Sequence, residues 1–280
     1  MGERARTSPC ESARIAGEAM KAILLSAGQG RRLLPLTRAV PKCLLTVCAG
    51  QSVLEAQLRA LEACGIRRAT VLVGFGAERV ERALEMRSAS VLEARAAYNP
   101  FYAVADNLVT AWLAQSAMDE DFVLINGDTL FDPRLLERLL SDAREPAAIA
   151  VARKPAYDDD DMKVILGYGD RLLEIGKKLD GRRPDGEAIG MSVFRGDGVA
   201  SFRESLDRMV RATDAHGAWY TSALADLAQR TRVQTIPVQG LWWTEIDSPA
   251  DLDVARWALR QRAATGPGPA PQLVAATRGA

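Results

Sequence analysis

Histidine is almost missing from this chain: His216 stands alone among 280 residues. That scarcity argues against a His-based metal centre and against a Ser/His/Asp triad. Cysteine is sparse too. Cys10, Cys43, Cys48 and Cys64 show no paired CxxC spacing, so reduced structural thiols of a cytoplasmic protein are expected rather than a disulfide framework or a zinc site. Neither sign of charge is in excess, with 36 basic and 36 acidic residues. A nucleic-acid binder, or a protein held to an anionic membrane by its overall field, is therefore not expected. No apolar run approaches the roughly 18 residues of a membrane span, so no membrane insertion is expected. The first twenty residues, MGERARTSPCESARIAGEAM, lack the apolar core of a secretory signal.

What the chain does have is 48% hydrophobic residues, enough for one large core. The polar stretch 1–19 reads as a flexible extension, 20–263 as one domain, and the Gly-, Pro- and Ala-rich stretch 264–280 as a disordered tail. Inside the domain, Ala22–Leu25, Ala69–Val73 and Phe122–Ile125 are continuous apolar runs, which suit strands buried on both faces of a parallel sheet. Helical periodicity marks 52–65, 77–87 and 105–118 between them. The alternation predicts an α/β fold with a Rossmann-like, doubly wound, mainly parallel (mixed) sheet. Further on, 147–153, 162–176 with a GYGD turn, 187–195 and 232–239 read as strands. The stretches near 198–212 and 219–230, and the end of 241–261, read as helices, the last with Asp247 or Ser248 as its cap.

Each early strand ends in special residues: Ser26-Ala27-Gly28, Gly74-Phe75-Gly76 and Asn126-Gly127-Asp128. Ligands of open parallel sheets sit beyond the carboxyl ends of the strands, so these residues point to one edge as the active site. After the first strand, Gly28 and Gly30 allow backbone amides to approach phosphate, while Arg31, Arg32 and Lys42 supply cations. Pro35 and Pro41 stiffen the loop. A polyphosphate is the natural ligand. The string is neither a Walker P-loop nor a dinucleotide fingerprint, because GxxxxGK[ST] is absent and Leu33 stands where a third glycine is required. That missing glycine speaks against a nicotinamide oxidoreductase.

Taken whole, Gly28-x-Gly30-x-Arg32-Leu33-x-Pro35-Leu36-Thr37-x-x-x-Pro41-Lys42 resembles the signature loop of the nucleoside-triphosphate transferases that include the sugar-1-phosphate nucleotidyltransferases, with Arg31 replacing the commoner Ser or Thr. The resemblance implies a single domain of the GT-A-like nucleotidyltransferase type. It assigns Arg32 and Lys42 to the phosphates, and Ala27, Gly28, Gly30 and Gly74 to the nucleotide. It extends to two acidic segments, "NGD" and "EID" followed by Ser-Pro, which make Asp128 and Asp247 the ligands of Mg²⁺. The implied reaction is in-line attack of an acceptor phosphate oxygen on the α-phosphorus, with pyrophosphate leaving.

Segments 98–114, 158–179 and 241–247 resemble one branch in particular, the phosphocholine cytidylyltransferase-like proteins and relatives acting on inositol phosphate or aminoalkylphosphonates. That branch implies CTP and a small phosphorylated acceptor as partners, and a nucleotide contact from Asn107, although Asp106-Asn107 stands where it usually has Asn-Asn. It also makes Lys163 a catalytic lysine near the reacting phosphates and Glu187 a residue bordering the acceptor pocket. Read plainly, Lys163 is a lysine on a strand edge and Asp158–Asp161 a solvated loop. Trp219, Tyr220, Trp242 and Trp243 suit either a cage for a quaternary ammonium or core packing beneath the site. Two other readings stay open: a sugar-1-phosphate nucleotidyltransferase using UTP, dTTP or GTP, and a catalytically silent nucleotide-binding regulator. Oligomeric state is not legible.

Overall fold

The computed structural model describes residues 20–87, 90–179, 181–212 and 214–265. The expected extension 1–19 and most of the expected tail lie outside them. In chain order the elements are β1 (Lys21–Ser26), β2 (Thr46–Cys48), β3 (Gln51–Ser52), α1 (Val53–Ala63), β4 (Arg68–Val73), α2 (Ala77–Glu85), β5 (Glu93–Tyr98), α3 (Asn107–Leu113), β6 (Phe122–Asn126), β7 (Thr129–Phe131) and α4 (Pro133–Asp142). There follow β8 (Ala147–Ala152), β9 (Lys163–Gly167), β10 (Arg171–Gly176), β11 (Gly186–Phe194), α5 (Asp197–Val210), α6 (Thr221–Arg230), β12 (Val233–Pro237), β13 (Trp243–Glu245) and α7 (Pro249–Thr265). Helix α7 thus runs two residues into the stretch read from sequence as tail.

Nine strands form one sheet in the order β5-β4-β1-β6-β11-β8-β12-β10-β9. Strands β5, β4, β1 and β6 are parallel, and β11 enters antiparallel to β6. Every residue of β1 is buried, as a strand covered by helices on both faces requires. Strand β11 has a bulge between Ala188 and Ser192. Past it Met191–Phe194 pair with β6, whereas Gly186 and Glu187 pair with β9. Strands β11, β8, β12, β10 and β9 consequently close into a small ring; the mixed sheet is as expected, whereas its closure is not announced by the sequence pattern.

One apolar cluster packs each face of the sheet. The second includes the stacked rings of Phe122, Phe194 and Phe202, with Phe194 and Phe202 4.1 Å apart at their centroids. A third, smaller cluster holds the site in place. Leu33 and Leu45 of the loop after β1, with Val47 of β2, pack with Leu130, Trp242, Ile246, Leu252 and Ala255. It fastens the glycine- and arginine-bearing loop to β7, β13 and α7. Burying such side chains is worth about 1.5–3 kcal/mol each, enough to anchor an exposed, charged loop.

Candidate active site

The loop after β1 takes its shape from a few fixed points. Thr37 is fully buried and its hydroxyl donates to the Gly30 carbonyl at 2.8 Å. Gly30 has a φ of +69°, and a Cβ there would meet Lys42 Cβ at 3.1 Å. Only glycine lets the loop fold back against the lysine stem. Gly74, at the end of β4, admits no side chain either. A Cβ would lie 2.4 Å from Tyr102 Cβ and 2.7 Å from the Ala27 carbonyl oxygen. The floor of the site is therefore backbone against backbone.

The two aspartates meet through the short ribbon of β7 and β13, which are antiparallel with Glu245 opposite Thr129. The Ile246 N–H donates to the Asp128 carbonyl at 3.1 Å, so Asp247 is delivered next to Asp128. Helix α7 is capped by Ser248, whose hydroxyl and amide engage the Asp251 carboxylate while its Oγ accepts from the Asp251 N–H. With Ser248 as cap, the Asp247 carboxylate is left for the site.

Lys42 lies between the two carboxylates, with Nζ 2.7 Å from Asp128 Oδ2 and 2.9 Å from Asp247 Oδ1. Burial alone would lower its pKa, but Asp128 and Asp247 outweigh that and hold it above the ordinary lysine value. Arg32 bridges Asp247 at 2.9 Å and Asp160 at 2.7 Å. Lys177 reaches the other oxygen of Asp160 at 3.0 Å. Three polar atoms along the floor, Ser26 Oγ, Asn126 Oδ1 and Asp128 Oδ1, are buried with no hydrogen-bond partner among the described residues. Buried polar groups left bare in this way call for a ligand.

These groups line one cleft of about 280 Å³ at the carboxyl edge of the parallel strands. Ala27, Gly28, Gly30, Arg32, Lys42, Asn107, Asp128, Trp219 and Asp247 all border it. Gly74 stands behind Ala27 and Tyr102. Lys163 and Glu187 are not among the lining residues. They face one another across β9 and β11, where Lys163 Nζ donates to the Lys177 carbonyl at 2.8 Å and Glu187 pairs with Lys154 at 2.6 Å. The four aromatics do not gather into a cage. Tyr220 is in the core, Trp242 packs beneath the loop with Arg262 over its ring, and Trp243 packs on the core opposite Phe131. Trp219 alone of the four reaches the cleft.

Sequence reasoning passed over Ser26 and Asn126, although both stand in the strand-end strings, and it gave Asp160 and Lys177 no role. It also passed over Glu245. Burial pushes that carboxyl well above its usual range, and the charges of Asp128, Asp247 and Glu187 push the same way.

A family model described as the MobA-like NTP transferase domain matches residues 22–229. The chain belongs to this family. The match takes in the loop after β1 and Asp128 but stops short of Asp247, whose place beside Asp128 is set by the ribbon. Among curated relatives, the bifunctional IPC transferase and DIPP synthase of Aquifex aeolicus is 27% identical over 250 residues, covering 88% of this chain and 53% of that protein. The chain spans about half the length of the first curated relatives it matches. The CTP:phosphoglutamine cytidylyltransferase of Campylobacter jejuni is 25% identical over 260 residues, covering 84% of this chain and 98% of that protein. Among solved structures, the inositol-1-phosphate CTP transferase from T. maritima superposes with a TM-score of 0.73 at 24% identity, covering 89% of this chain and 98% of that one. The last likeness establishes the fold. Among the described residues no helix is long and apolar enough to cross a membrane.

Proposed function

We propose that this NTP transferase domain moves the cytidylyl group of CTP onto a small phosphorylated acceptor, releasing pyrophosphate. The observation that carries the reading is the Asp128–Lys42–Asp247 bridge, set at the carboxyl edge of the sheet beside bare Asp128 Oδ1. The choice of CTP is supported by the relatives whose names specify it.

In the reaction a phosphate oxygen of the acceptor forms a bond to the α-phosphorus as the α–β bridging P–O bond breaks, and the electron pair leaves with pyrophosphate. No covalent enzyme intermediate is needed, so the chain's work is positioning and charge neutralisation. Lys42 and Arg32, paired with carboxylates in the free protein, exchange those partners for phosphate oxygens. Gly28 and Gly30 let the loop backbone approach the triphosphate. Ser26 Oγ and Asn126 Oδ1 offer bare polar atoms along the floor to the nucleotide.

Hard carboxylate oxygens from two remote segments, one of them bare, fit Mg²⁺, and Asp128 and Asp247 would hold it. Such an ion would draw its remaining ligands from phosphate and water. Bound there, Mg²⁺ would neutralise charge developing on the α-phosphate and the leaving group. Lys163 and Glu187 lie off the cleft in the free protein, where Lys163 fastens the Lys177 backbone carbonyl and Glu187 pairs with Lys154.

The test is pyrophosphate release with Mg²⁺, crossing CTP, UTP, GTP, ATP and dTTP against phosphorylated alcohols, phosphonates and hexose 1-phosphates. Release with CTP and a non-sugar acceptor supports the reading. Release confined to hexose phosphates moves the chain to sugar-1-phosphate chemistry. Tight CTP binding with no release from any pair favours a silent regulator.

A further inference from the structure

Helix α1 buries Val53, Leu54, Leu58, Ala60 and Leu61 along one stripe, and Gln57 stands in the middle of it at 1% exposure. A polar side chain in such a place is tolerated only for the hydrogen bonds it makes. The Gln57 Nε2 donates to two carbonyls, that of Asn126 at 2.8 Å and that of Thr129 at 2.8 Å. Its Oε1 is buried with no hydrogen-bond partner among the described residues. Leaving an amide oxygen bare costs stability, so the two donated bonds are the reason for an amide here.

Asn126 and Thr129 flank the two-residue turn between β6 and β7, whose second residue is Asp128. The turn is held from three sides. The Gly127 N–H donates to the Leu25 carbonyl of β1 at 2.9 Å, and the Ile246 N–H donates to the Asp128 carbonyl at 3.1 Å. Because that ribbon bond joins Ile246 to Asp128, the next pair, Glu245 and Thr129, is a non-hydrogen-bonded one. The Thr129 carbonyl therefore turns out of the ribbon toward α1. There one amide, with two N–H groups in a single plane, takes the carbonyls on both sides of Asp128.

Two of the three holds are backbone bonds, which no substitution removes. The third is a single side chain. We propose that Gln57 is a positioning residue: its amide fixes the Asn126–Thr129 turn, and through it the direction in which the Asp128 carboxylate faces Lys42 and Asp247. Gln57 is not among the residues lining the cleft, so it acts on the reaction through Asp128 and not by touching a substrate. This inference rests on the nucleotidyl-transfer reading above, with Asp128 as a ligand of the divalent cation.

The test is a double-mutant cycle on the full chain. Pyrophosphate release is measured with CTP, Mg²⁺ and the acceptor that the panel above selects, for the parent, Gln57→Met, Asp128→Asn and the double variant. Mn²⁺ binding is titrated separately by electron paramagnetic resonance on the same proteins loaded with a CTP analogue bearing a methylene α–β bridge. Methionine is close to glutamine in volume but donates nothing. Gln57→Met is expected to lower kcat and weaken Mn²⁺ binding about tenfold to a hundredfold, the range for losing a group that orients a metal ligand. The KM for CTP is expected to stay as it is. In the Asp128→Asn background the same change should cost less than about twofold more, because its effect runs through Asp128. Leu61→Ala, in the core on the same helix, lowers stability and should leave kcat and Mn²⁺ binding unchanged. A full further loss in the Asp128→Asn background, or an equal loss in Leu61→Ala, makes Gln57 a residue of the fold alone and overturns the proposal. If Gln57→Met does not fold, Gln57→Asn, whose amide falls one methylene short of the turn, replaces it in the cycle; failure of both to fold also overturns the proposal. If no acceptor yields pyrophosphate although CTP binds, the transfer reading fails. The Mn²⁺ titration then decides the positioning role by itself: binding weakened in Gln57→Met and not in Leu61→Ala upholds it, and any other result overturns it.

Discussion

Two groups of cations and carboxylates in this molecule look alike in composition and differ in how completely they are satisfied. Between α5 and α6, Asp226 accepts from Arg208 at 2.7 and 3.0 Å through one oxygen and from Arg230 at 3.0 Å through the other. Burial raises its pKa, but the bonds from Arg230, Arg208 and Ser205 overcome this and bring it down to about 2. In the cleft, Lys42 is shared by Asp128 and Asp247 while Asp128 Oδ1 is left bare. An unsatisfied buried polar atom costs about 1–3 kcal/mol. The first group spends its interactions on holding two helices together. The second keeps some in reserve, and a ligand can recover them.

Asp128→Asn should break the second group most visibly. Loss of the bare carboxylate oxygen is expected to cut kcat by about a thousandfold, the scale of removing a preorganised charge from the reacting centre, with the fold retained by circular dichroism. A loss below tenfold in pyrophosphate release would separate Asp128 from the reacting phosphates. Lys42→Met should cost about 2 kcal/mol in urea denaturation, because two partly buried carboxylates lose their shared cation while Asp247 keeps Arg32. Mg²⁺ should restore part of that loss by neutralising the same pair. If the variant is as stable as the parent, the bridge contributes nothing to the free protein.

The first group predicts the reverse pattern. Asp226→Asn should lower stability by about 1–2 kcal/mol at pH 7 and leave kcat unchanged, a figure discounted for partial exposure of the arginines. The folded pKa is depressed, so the stabilisation is present above the unfolded value of 3.8 and is lost as pH falls toward 2. Urea titrations at pH 7, 4 and 2.5 should show the variant and parent converging; a constant difference would mean that charge is not the source. The smallest effect is expected at the edge of the cleft. Asp160→Asn releases Arg32 and Lys177 from an exposed carboxylate and should lower the KM for CTP about twofold, as exposed ion pairs are weak. An increase would show that Asp160 positions Arg32 rather than competing with phosphate.

How much of this was legible varies by element. Strands β1, β4 and β6 were read because burial on both faces requires an unbroken apolar run. Strand β5 was not, since none of its residues is fully buried and Glu93–Tyr98 carries no such run. Helix α4 was missed despite a clear signal: Asp132 caps it, Pro133 opens it, and Leu135, Leu136, Leu139 and Leu140 form its buried stripe. Adjacent aromatics part company for a geometric reason. Neighbouring residues face different ways, so Trp219 turns to the cleft while Tyr220 turns to the core, and Trp242 and Trp243 pack on different clusters. Lys163 and Glu187 share a place through strand register, which a linear string does not encode.

The sequence by itself supplied the loop after β1 with the glycines and cations that suit it to phosphate, and local sterics and residue chemistry are enough for that; Asp128 and Asp247 were singled out by resemblance rather than by local chemistry. The tertiary structure alone decided that Asp128 and Asp247 share one lysine across 119 residues of chain, and that Asp160 occupies Arg32. Each of those depends on which strands pair and which loop ends where, and pairing is fixed by the packing of the whole core rather than by any stretch within it.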